Sequence, residues 1–245
     1  MESELSPTGL SVVLVTPRNP LNIGAGARAM SNFGFFDLRL VNPYEVAFRE
    51  AKSAVKAERV LREAREFPTL AEAVADCSLV VGTTSRGPRT LQHPLRRLEE
   101  GGRLIAKKLP SSRVALLFGS EKFGLSNDDL SHCHWLMRIP TREGHGSMNL
   151  GQAVAVCLYE IIRNPGAIAK VTPKPPARAE DLERFSILLE TLLDLSGYVH
   201  ARVGESTRMK IRRLVRRMDL TAHDAEVWMG MLRQVQWKLV SLSKE

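Results

Sequence analysis

Five short apolar runs, spaced along the first 140 residues, constrain the fold of this chain more than any other feature. Each is apolar nearly throughout, and a continuous apolar pattern is typical of strands buried on both faces of a parallel sheet. We therefore expect a parallel sheet flanked by helices, the α/β class of fold. The runs are LSVVLVTP, FDLRLVNP, SLVVGTT, RVALLFG and HWLMRIP.

Helical patterns separate these runs. NIGAGARAMSNFG is predicted to be a helix that ends at Gly34, residues 49–66 have helical composition and spacing, and LAEAVADC is predicted to be a short helix. SEKFGLSNDDL is predicted to be a loop with a short turn, and SMNLGQAVAVCLYEII a long apolar helix. Together these elements predict one α/β domain over residues 1–163.

The chain changes character after residue 163. Residues 164–180 contain four prolines and little periodicity, which predicts a linker stiffened by proline. Residues 181–245 show helical periodicity and no strand pattern, so we predict a small all-helical C-terminal extension. Two apolar faces are expected in it, one formed by Ile211, Leu214, Val215 and Met218 and the other by Trp228, Leu232, Val235 and Leu239.

The chain is basic. Its 245 residues include 35 Lys and Arg against 27 Asp and Glu, which gives a net charge of +8 and a pI near 9.7. Basic surfaces attract nucleic-acid backbones, because binding releases counterions and long-range attraction steers the encounter. A polyanionic partner is one interpretation, and a basic protein without such a partner is the other.

The three cysteines are odd in number and lie in apolar or regularly patterned stretches, which predicts buried free thiols in a reducing compartment. His132, Cys133 and His134 are adjacent, and neighbouring side chains on a regular element chelate an ion poorly, so no metal site is expected. The N-terminus lacks a signal-peptide pattern, and no apolar run approaches the ~18 residues of a membrane helix. We expect a cytoplasmic protein with no membrane segment.

The stretch NPLNIGAGARAM contains a glycine pattern similar to that of a dinucleotide-binding loop. Such a loop begins where its strand ends, because the first glycine makes the turn into the helix. Here PRNPLNI separates the strand from Gly24, and Asn42 ends the second strand where ribose binding would need an acidic residue. Two other interpretations remain: Asn22 and Arg28 point toward a common space, or Asn22 caps the helix and Arg28 forms a surface ion pair.

Two later stretches have the same polar character. LLFGSEKFGLS is a buried strand followed by a loop that contains Gly119 and Glu121. IPTREGHGSMNLGQAV is a glycine-rich loop leading into a helix that opens near Ser147 and Asn149. Loops that follow parallel strands meet at one edge of the sheet, where α/β proteins bind their ligands.

NPLNIGAGARAM, LLFGSEKFGLS and SMNLGQAVAVCLYE resemble, in order and spacing, the three motifs of the SpoU-type RNA ribose 2'-O-methyltransferases, members of the SPOUT class. LVVGTTSRGPR, DLERFSILLETLLDLSGY, KIRRLVRRMDL and GMLRQV are similar to the tRNA methyltransferase J subgroup, so the match covers nearly the whole chain. The resemblance implies an α/β domain with a C-terminal deep trefoil knot and a bent pocket for S-adenosyl-L-methionine. It also implies a homodimer with the active site at the subunit interface.

The resemblance assigns roles to particular residues. Asn22 and Arg28 match the catalytic pair of the first motif, Glu121 the acidic residue of the second, and Ser147 and Asn149 the polar pair of the third. The implied cofactor pocket is lined, largely through backbone groups, by Thr83, Thr84, Ser85, Gly119, Ile139, Gly146, Ser147, Met148 and Leu150.

One position departs from the family pattern, and one histidine needs a separate interpretation. Gly151 stands where many relatives carry a serine, so the chain has no hydroxyl there, although a small residue is compatible with close packing. His145 lies between two glycines. Histidine can act as a general base because its ordinary pKa is near neutral, but a histidine in such a loop is more often simply exposed to solvent.

Five arginines are expected to contact RNA phosphates. Arg86 and Arg142 flank the rim of the predicted site, and Arg212, Arg213 and Arg216 lie on a basic helix of the extension, beside its apolar face. A solvated charged surface without RNA is the alternative interpretation of this helix.

The expected function is S-adenosyl-L-methionine-dependent 2'-O-methylation of a tRNA ribose, at a cytidine or uridine at nucleotide 32 of the anticodon loop. Arg28 is expected to stabilise the developing oxyanion, because a guanidinium with a pKa above ~12 is a poor general base. The alternatives are the same reaction on rRNA, a non-catalytic RNA-binding homologue and, more remotely, a nicotinamide oxidoreductase.

Overall fold

The computed structural model describes residues 9–44, 58–85, 92–142, 146–163, 175–198 and 204–242. Seven strands lie in these ranges: β1 (Leu10–Val15), β2 (Asp37–Val41), β3 (Arg65–Phe67), β4 (Leu79–Thr83), β5 (Leu95–Arg97), β6 (Val114–Phe118) and β7 (Trp135–Arg138). They form one sheet in the order β3-β2-β1-β6-β4-β7-β5, and every neighbouring pair is parallel. The prediction of a parallel sheet is confirmed, and the chain returns twice between strands formed earlier, which is compatible with the implied knot.

The helices in the described ranges cover both faces of this sheet and form the C-terminal region. They are α1 (Pro20–Asn32), α2 (Glu58–Glu63), α3 (Leu70–Val74), α4 (Leu98–Lys108), α5 (Asn127–Ser131), α6 (Leu150–Ile162), α7 (Ala179–Leu195), α8 (Gly204–Arg217) and α9 (Ala222–Leu242). None of the helices in the described parts of the chain combines the length and the hydropathy needed to cross a bilayer.

The sheet is buried from both sides, as its continuous apolar strands predicted. Side chains of β1, β4 and β6 that point to one face pack against α1, α4 and α6, and those that point to the other face pack against α3 and α5. All six residues of β1 and all five of β6 are buried. Strands without an exposed face cannot alternate apolar and polar residues, and this explains why the sequence pattern located them so well.

The two strands that were not predicted, β3 and β5, lie at the edges of the sheet. Each has three residues, rich in charge and mostly exposed, so neither carries an apolar run. The helix predicted over residues 49–66 is wrong at its end, because Arg65 and Glu66 belong to β3 and pair with β2. Residues 49–57 of that prediction lie outside the described residues.

Helices α7, α8 and α9 share a small core of their own, as the predicted C-terminal extension requires. Ile211 and Val215 are buried in it, but Leu214 is 49% exposed. Of the face predicted for α9, Leu232 packs against this core, but Trp228 and Val235 are exposed, so the prediction is wrong at those two positions. The core face of the helix consists of Ala225, Met229 and Leu232, which follow the i, i+4, i+7 spacing of a helical face.

The extension packs against the sheet domain through its first helix. Residues 164–174 of the predicted linker lie outside the described residues, and residues 179–180 are not linker but the first turn of α7. The backbone N–H groups of Ala179 and Glu180 donate to the carbonyl oxygens of Cys77 and Ala75. These bonds satisfy donors that a helix start otherwise leaves free.

A buried network of ion pairs lies near the amino-terminal ends of the strands. Arg39 is only 1% exposed and donates to the carboxylates of Asp37 and Asp76 and to the carbonyl oxygen of Ala73. The pKa of Asp37 is low, because hydrogen bonds from Arg39 and Ser11 outweigh the effect of burial. Removing one partner of such a network would leave a buried charge uncompensated, and the paired guanidinium is not free for chemistry.

The three cysteines are buried and form no disulfide, as predicted. Burial raises the pKa of the Cys77 thiol to about 12, so this side chain is an inert part of the core.

Two neighbouring histidines are buried without charge. Burial, together with the positive charge of Arg216, lowers the pKa of His134 to about 3, and burial with Arg212 and Arg216 lowers that of His132 to about 3. The Nδ1 atom of His134 accepts a hydrogen bond from the backbone N–H of Val80, at 3.1 Å. A base with a lower pKa in the folded chain takes up its proton on unfolding, so stability falls as the pH falls from about 6.5 toward 3.

His134→Asn tests this pH dependence. The asparagine oxygen can accept the hydrogen bond from the Val80 N–H in place of Nδ1, but it does not titrate. We therefore expect the free energy of unfolding of the variant to decrease less than that of the wild type between pH 6.5 and pH 4. The slope should be shallower than that of the wild type by up to about 1.4 kcal/mol per pH unit. Urea unfolding over a pH series measures it, with His223→Asn at an exposed position as control. An unchanged slope in His134→Asn contradicts the prediction.

Candidate active site

A cavity of about 690 Å³ opens at the carboxyl edge of the parallel sheet. Its walls are the segments that follow β4, β6 and β7, together with the start of α6. Parallel α/β sheets bind ligands at this edge, and small-molecule sites typically measure ~300–1,000 Å³. The cavity is therefore the candidate site.

All nine residues predicted to bind a cofactor line this one cavity. Glu121, Asn22, Ser147 and Asn149, four of the five residues predicted to be catalytic, line it as well. The nine are Thr83, Thr84, Ser85, Gly119, Ile139, Gly146, Ser147, Met148 and Leu150. Stretches far apart in the sequence therefore meet where the motif pattern required them to meet.

Gly119 allows the segment after β6 to fold back on itself at the cavity wall. A Cβ atom at this position would lie 2.0 Å from the carbonyl carbon of Gly124 and 2.2 Å from the backbone nitrogen of Leu125. Gly124 itself has a φ of 66°, in the left-handed region that glycine enters without strain. No other residue at position 119 leaves this turn intact.

The side-chain amide of Asn22 joins the three motif stretches. Its Nδ2 donates to Oε1 of Glu121 at 2.9 Å, and its Oδ1 accepts from Nδ2 of Asn149 at 2.8 Å. Asn22 is 9% exposed, whereas Glu121 and Asn149 are exposed, so these bonds lie at the boundary between the core and the cavity. This chain of hydrogen bonds fixes the orientation of both amides at the cavity wall.

Glu121 acts as an acceptor for the start of α1. Besides Asn22, its carboxylate accepts from the backbone N–H groups of Arg18 and Asn19, at 3.3 and 3.2 Å. Burial alone would raise the pKa of Glu121, but the hydrogen bond from Asn22 and those from the backbone outweigh it, so the pKa is lowered. A carboxylate held in its ionised form by such donors is a poor proton acceptor.

A strained residue at the end of β1 precedes the segment that contacts Glu121. Thr16 has a φ of 48°, which a β-branched residue rarely adopts. Its N–H donates to the carbonyl oxygen of Val41, at 2.8 Å. This turn directs Arg18 and Asn19 toward the carboxylate, and such strain often accompanies functional sites.

Asn149 has two roles. Its Oδ1 caps α6 by accepting from the N–H groups of Gly151 and Gln152, and its Nδ2 bonds to Asn22. Gly151 allows α6 to approach α1, because a Cβ there would lie 2.5 Å from the Cβ of Ala25. The glycine that departs from the family pattern therefore coincides with a close contact between two helices.

The glycine pattern GAGARA lies inside a helix and not in a loop. Asn19 is the N-cap of α1, with its side chain accepting from the N–H of Leu21, and the helix runs from Pro20 to Asn32. The interpretation of Asn22 as a helix cap is therefore wrong. Because Gly24 and Gly26 are interior helix residues, the phosphate-binding turn of a dinucleotide site is absent from this stretch.

Arg28 does not line the cavity of its own chain. It lies on the exposed side of α1, whereas Asn22 faces the cavity. Within the described part of the chain, its guanidinium has no ion pair or hydrogen bond, so the alternative of a surface ion pair finds no support there. Within one chain, α1 directs Asn22 to the cavity and Arg28 to the exposed side, so the two do not face a common space.

The arginines predicted to contact RNA fall into different environments. Arg142 is exposed, and Arg86 lies outside the described residues, as does His145. Arg213 donates to Gln92 and is half-buried. Arg212 pairs with Asp128 and Glu183, at 3.2 and 3.3 Å, with its side chain 18% exposed.

Arg216 is a correction to the prediction. It is 1% exposed, donates to the carbonyl oxygen of Ala179 and pairs with Glu183 at 3.2 Å, so it is not available to a phosphate. The helical pattern placed it beside the apolar face of α8, but α8 turns this position toward α7 and the sheet domain. Arg216 holds the extension in place.

Several lining residues were not predicted. Leu95 belongs to the short edge strand β5, which has no apolar run. Lys122 and Phe123 belong to the motif LLFGSEKFGLS, in which only Gly119 and Glu121 were predicted to be site residues, and both are exposed. The position of Phe123, an aromatic residue in a polar loop between Glu121 and Gly124, was the one signal in the sequence that could have identified it.

Comparison with known proteins agrees with this architecture. Residues 9–159 match the SpoU rRNA Methylase family. A tRNA (cytidine/uridine-2'-O-)-methyltransferase TrmJ from Yersinia enterocolitica is 35% identical over 93% of this chain and 91% of its own length. The TrmJ of Salmonella typhimurium is 34% identical over 93% and 96%.

A solved structure extends the likeness to three dimensions. The crystal structure of TrmJ from Z. mobilis ZM4 superposes with a TM-score of 0.79 at 34% identity, covering 92% of this chain and 98% of that one. With the parallel sheet, the cavity at its carboxyl edge and these matches, the chain belongs to the SpoU methylase family.

Asn22→Asp tests the bridge between the motifs. It places a second carboxylate against Glu121 and removes the amide donor, so we expect the free energy of unfolding to fall by about 2 kcal/mol, the size of a hydrogen bond to a charged group. Urea unfolding at neutral pH measures it. Asn32→Asp makes the same chemical change at an exposed position of α1 and should cost less than about 1 kcal/mol. Equal effects in the two variants would show that the bridge does not hold the loops.

Proposed function

We propose that this chain transfers a methyl group from S-adenosyl-L-methionine to the 2'-hydroxyl of a tRNA ribose. The relatives named above act on cytidine or uridine in tRNA, and we extend that specificity to this chain, at nucleotide 32 of the anticodon loop. The observation that carries the proposal is the meeting of Asn22, Glu121 and Asn149 at one cavity, joined by hydrogen bonds of 2.9 and 2.8 Å.

The cavity fits S-adenosyl-L-methionine in size and in chemistry. Its volume suits a ligand of this class, and its walls offer backbone groups at Gly119 and Gly146 beside apolar side chains such as Leu150. Gly119 lets the backbone of Gly124 and Leu125 pack directly against it in this wall. When bound there, S-adenosyl-L-methionine supplies a methyl group on a positively charged sulfur.

The residues of the site align the reaction and do not need to titrate. The amides of Asn22 and Asn149 are locked by their mutual hydrogen bond, so they can hold an incoming ribose without reorganising. Glu121 maintains this arrangement as an ionised acceptor. In the proposed reaction Arg28 donates to the ribose oxygen and stabilises the negative charge that develops there.

The exposed position of Arg28 supports an active site shared between two chains. Leu21, on the same side of α1, is 72% exposed, and Tyr159 of α6 is 55% exposed beside Phe33. Exposed apolar residues on two adjoining helices are typical of a surface that pairs with another protein. We propose a homodimer in which this surface is the interface, and Arg28 serves the cavity of the partner.

The substrate is tested by incubation with labelled S-adenosyl-L-methionine and separate tRNA and rRNA pools. We expect label only in tRNA, at a linkage that resists alkali because its 2'-oxygen is methylated. Label confined to rRNA would favour the alternative substrate, and no label in either pool would favour a non-catalytic RNA-binding protein.

Arg28→Lys tests the role of the guanidinium. An ammonium keeps the charge but not the geometry of the donor, so we expect kcat to fall roughly 100-fold, the effect of losing one oxyanion donor. The Kd for S-adenosyl-L-methionine, measured by calorimetry, should stay unchanged because the proposed partner of Arg28 is the ribose oxygen and not the cofactor. A turnover rate equal to that of the wild type would refute the role.

Mixed dimers test whether Arg28 acts across the interface. One chain carries Arg28→Ala, and the other carries Gly119→Ala, which disrupts the turn in the cavity wall because its Cβ would clash with the backbone of Gly124 and Leu125. If Arg28 serves the partner's cavity, the isolated heterodimer has one complete site and regains activity that neither homodimer shows. If Arg28 acts within its own chain, the heterodimer has no complete site and stays inactive.

A further inference from the structure

Phe123 is an exposed aromatic residue in the lining of the candidate active site. Its side chain is 66% exposed, whereas Leu125 and Leu130, which line the same cavity, are 4% exposed each. A large ring left in water forgoes the free energy of burial, so its position at the mouth of a cavity points to a ligand that covers it.

The backbone holds Phe123 rigidly in this position. Its N–H donates to Oγ of Ser120 at 3.3 Å, and the N–H of Gly124 donates to the carbonyl oxygen of Ser120 at 2.8 Å. Gly124 closes the turn with its φ of 66°. Because the backbone of the turn is already ordered, it need not be ordered again when the ring binds a partner.

Lys122 covers one face of the ring. Its ammonium lies 5.1 Å from the ring centroid, within the range of a cation–π contact. Since the side chain is still two-thirds exposed, the opposite face is open to a flat partner. The exposed ammonium beside it is a binding group for a phosphate.

Methylation of a ribose requires an unstacked nucleotide, whose flat base can pack against an aromatic ring. The 2'-hydroxyl has to reach the cavity beside Asn22 and Asn149, so the nucleotide that carries it must leave its stack in the RNA. Proteins that bind single-stranded or splayed nucleotides stack their bases on aromatic side chains. Phe123 is the aromatic side chain that lines the cavity at an exposed position in the described part of the chain.

We propose that Phe123 stacks on the base of the target nucleotide and that Lys122 contacts an adjacent phosphate, so that the ribose between them faces Asn22 and Asn149. This assignment rests on the proposed function. Stacking depends on the flat face of a base and not on its hydrogen-bonding edge. One platform therefore accepts both cytidine and uridine.

Four variants separate stacking from other roles of this side chain. Phe123→Ala should raise the KM for tRNA by roughly 5- to 150-fold, the effect of losing one base–aromatic contact. Phe123→Trp and Phe123→Tyr keep a ring and should restore the KM, whereas Phe123→Leu keeps apolar volume without a ring and should not. The Kd for S-adenosyl-L-methionine should stay the same in all four.

A substrate without the target base provides the decisive comparison. We expect tRNA with an abasic target nucleotide, which keeps its ribose, to raise the KM of the wild type by the same factor as Phe123→Ala. Phe123→Ala should then have no further effect on the abasic substrate, because the two changes remove one and the same contact. Independent, multiplying effects would overturn the proposal.

Tyr198→Ala is the matched control, since it removes an aromatic residue that is 69% exposed and does not line the cavity. Its KM for tRNA should equal that of the wild type, and an equal rise in both alanine variants would overturn the assignment.

A weaker Kd for S-adenosyl-L-methionine in Phe123→Ala would place the ring in the donor site instead, and loss of the dimer in size-exclusion chromatography would place it in the interface. Wild-type methylation of tRNA with an unchanged KM in Phe123→Ala refutes the stacking role alone and leaves the proposed function intact.

Discussion

The hydrogen bonds of the Asn22 side chain are the interactions on which the candidate site depends. One amide donates to Glu121, which follows β6, and accepts from Asn149, which starts α6, so Asn22 is joined by two contacts to residues 99 and 127 positions further along the chain. An amide suits this role because it offers a donor and an acceptor on two separate atoms. A carboxylate would repel Glu121, and a hydroxyl would be too short to span both partners.

Glycines at two positions allow these segments to come so close. At Gly119 the backbone folds back until the site of a Cβ is 2.0 Å from another residue's carbonyl carbon, and at Gly151 it would be 2.5 Å from Ala25. Both contacts join parts of the chain that β1, β6 and α6 hold rigidly through a dry core. The site is therefore built from backbone that is pressed together, and its side chains are few and polar.

The continuous apolar pattern of β1, β4, β6 and β7 predicted the sheet because strands buried on both faces have no polar positions to confuse the pattern. The edge strands β3 and β5 lacked that signal, and Leu95 was missed with them. The convergence of three polar loops could be predicted because each follows a parallel strand, whereas the residues that line the cavity were predicted from the resemblance to the SpoU-type family. Their contacts could not, since whether Arg216 faces solvent or Glu183 depends on how α8 is rotated against α7, and periodicity does not specify the neighbour.

The chemistry of the cavity is consistent with catalysis by alignment and not by a tuned acid or base. Among the described residues that line it, Glu121 is the one carboxylate, and its pKa is lowered by the donors that surround it. His132 and His134, whose pKa values are also far from neutral, are buried away from the cavity in the fold. A sulfonium donor already carries a good leaving group, so the greatest need is to fix the attacking oxygen in line with the methyl carbon. In the proposed reaction the amides of Asn22 and Asn149 and the guanidinium of Arg28 supply that geometry, and the strained turn at Thr16 and the close backbone contact at Gly119 hold the cavity wall in place.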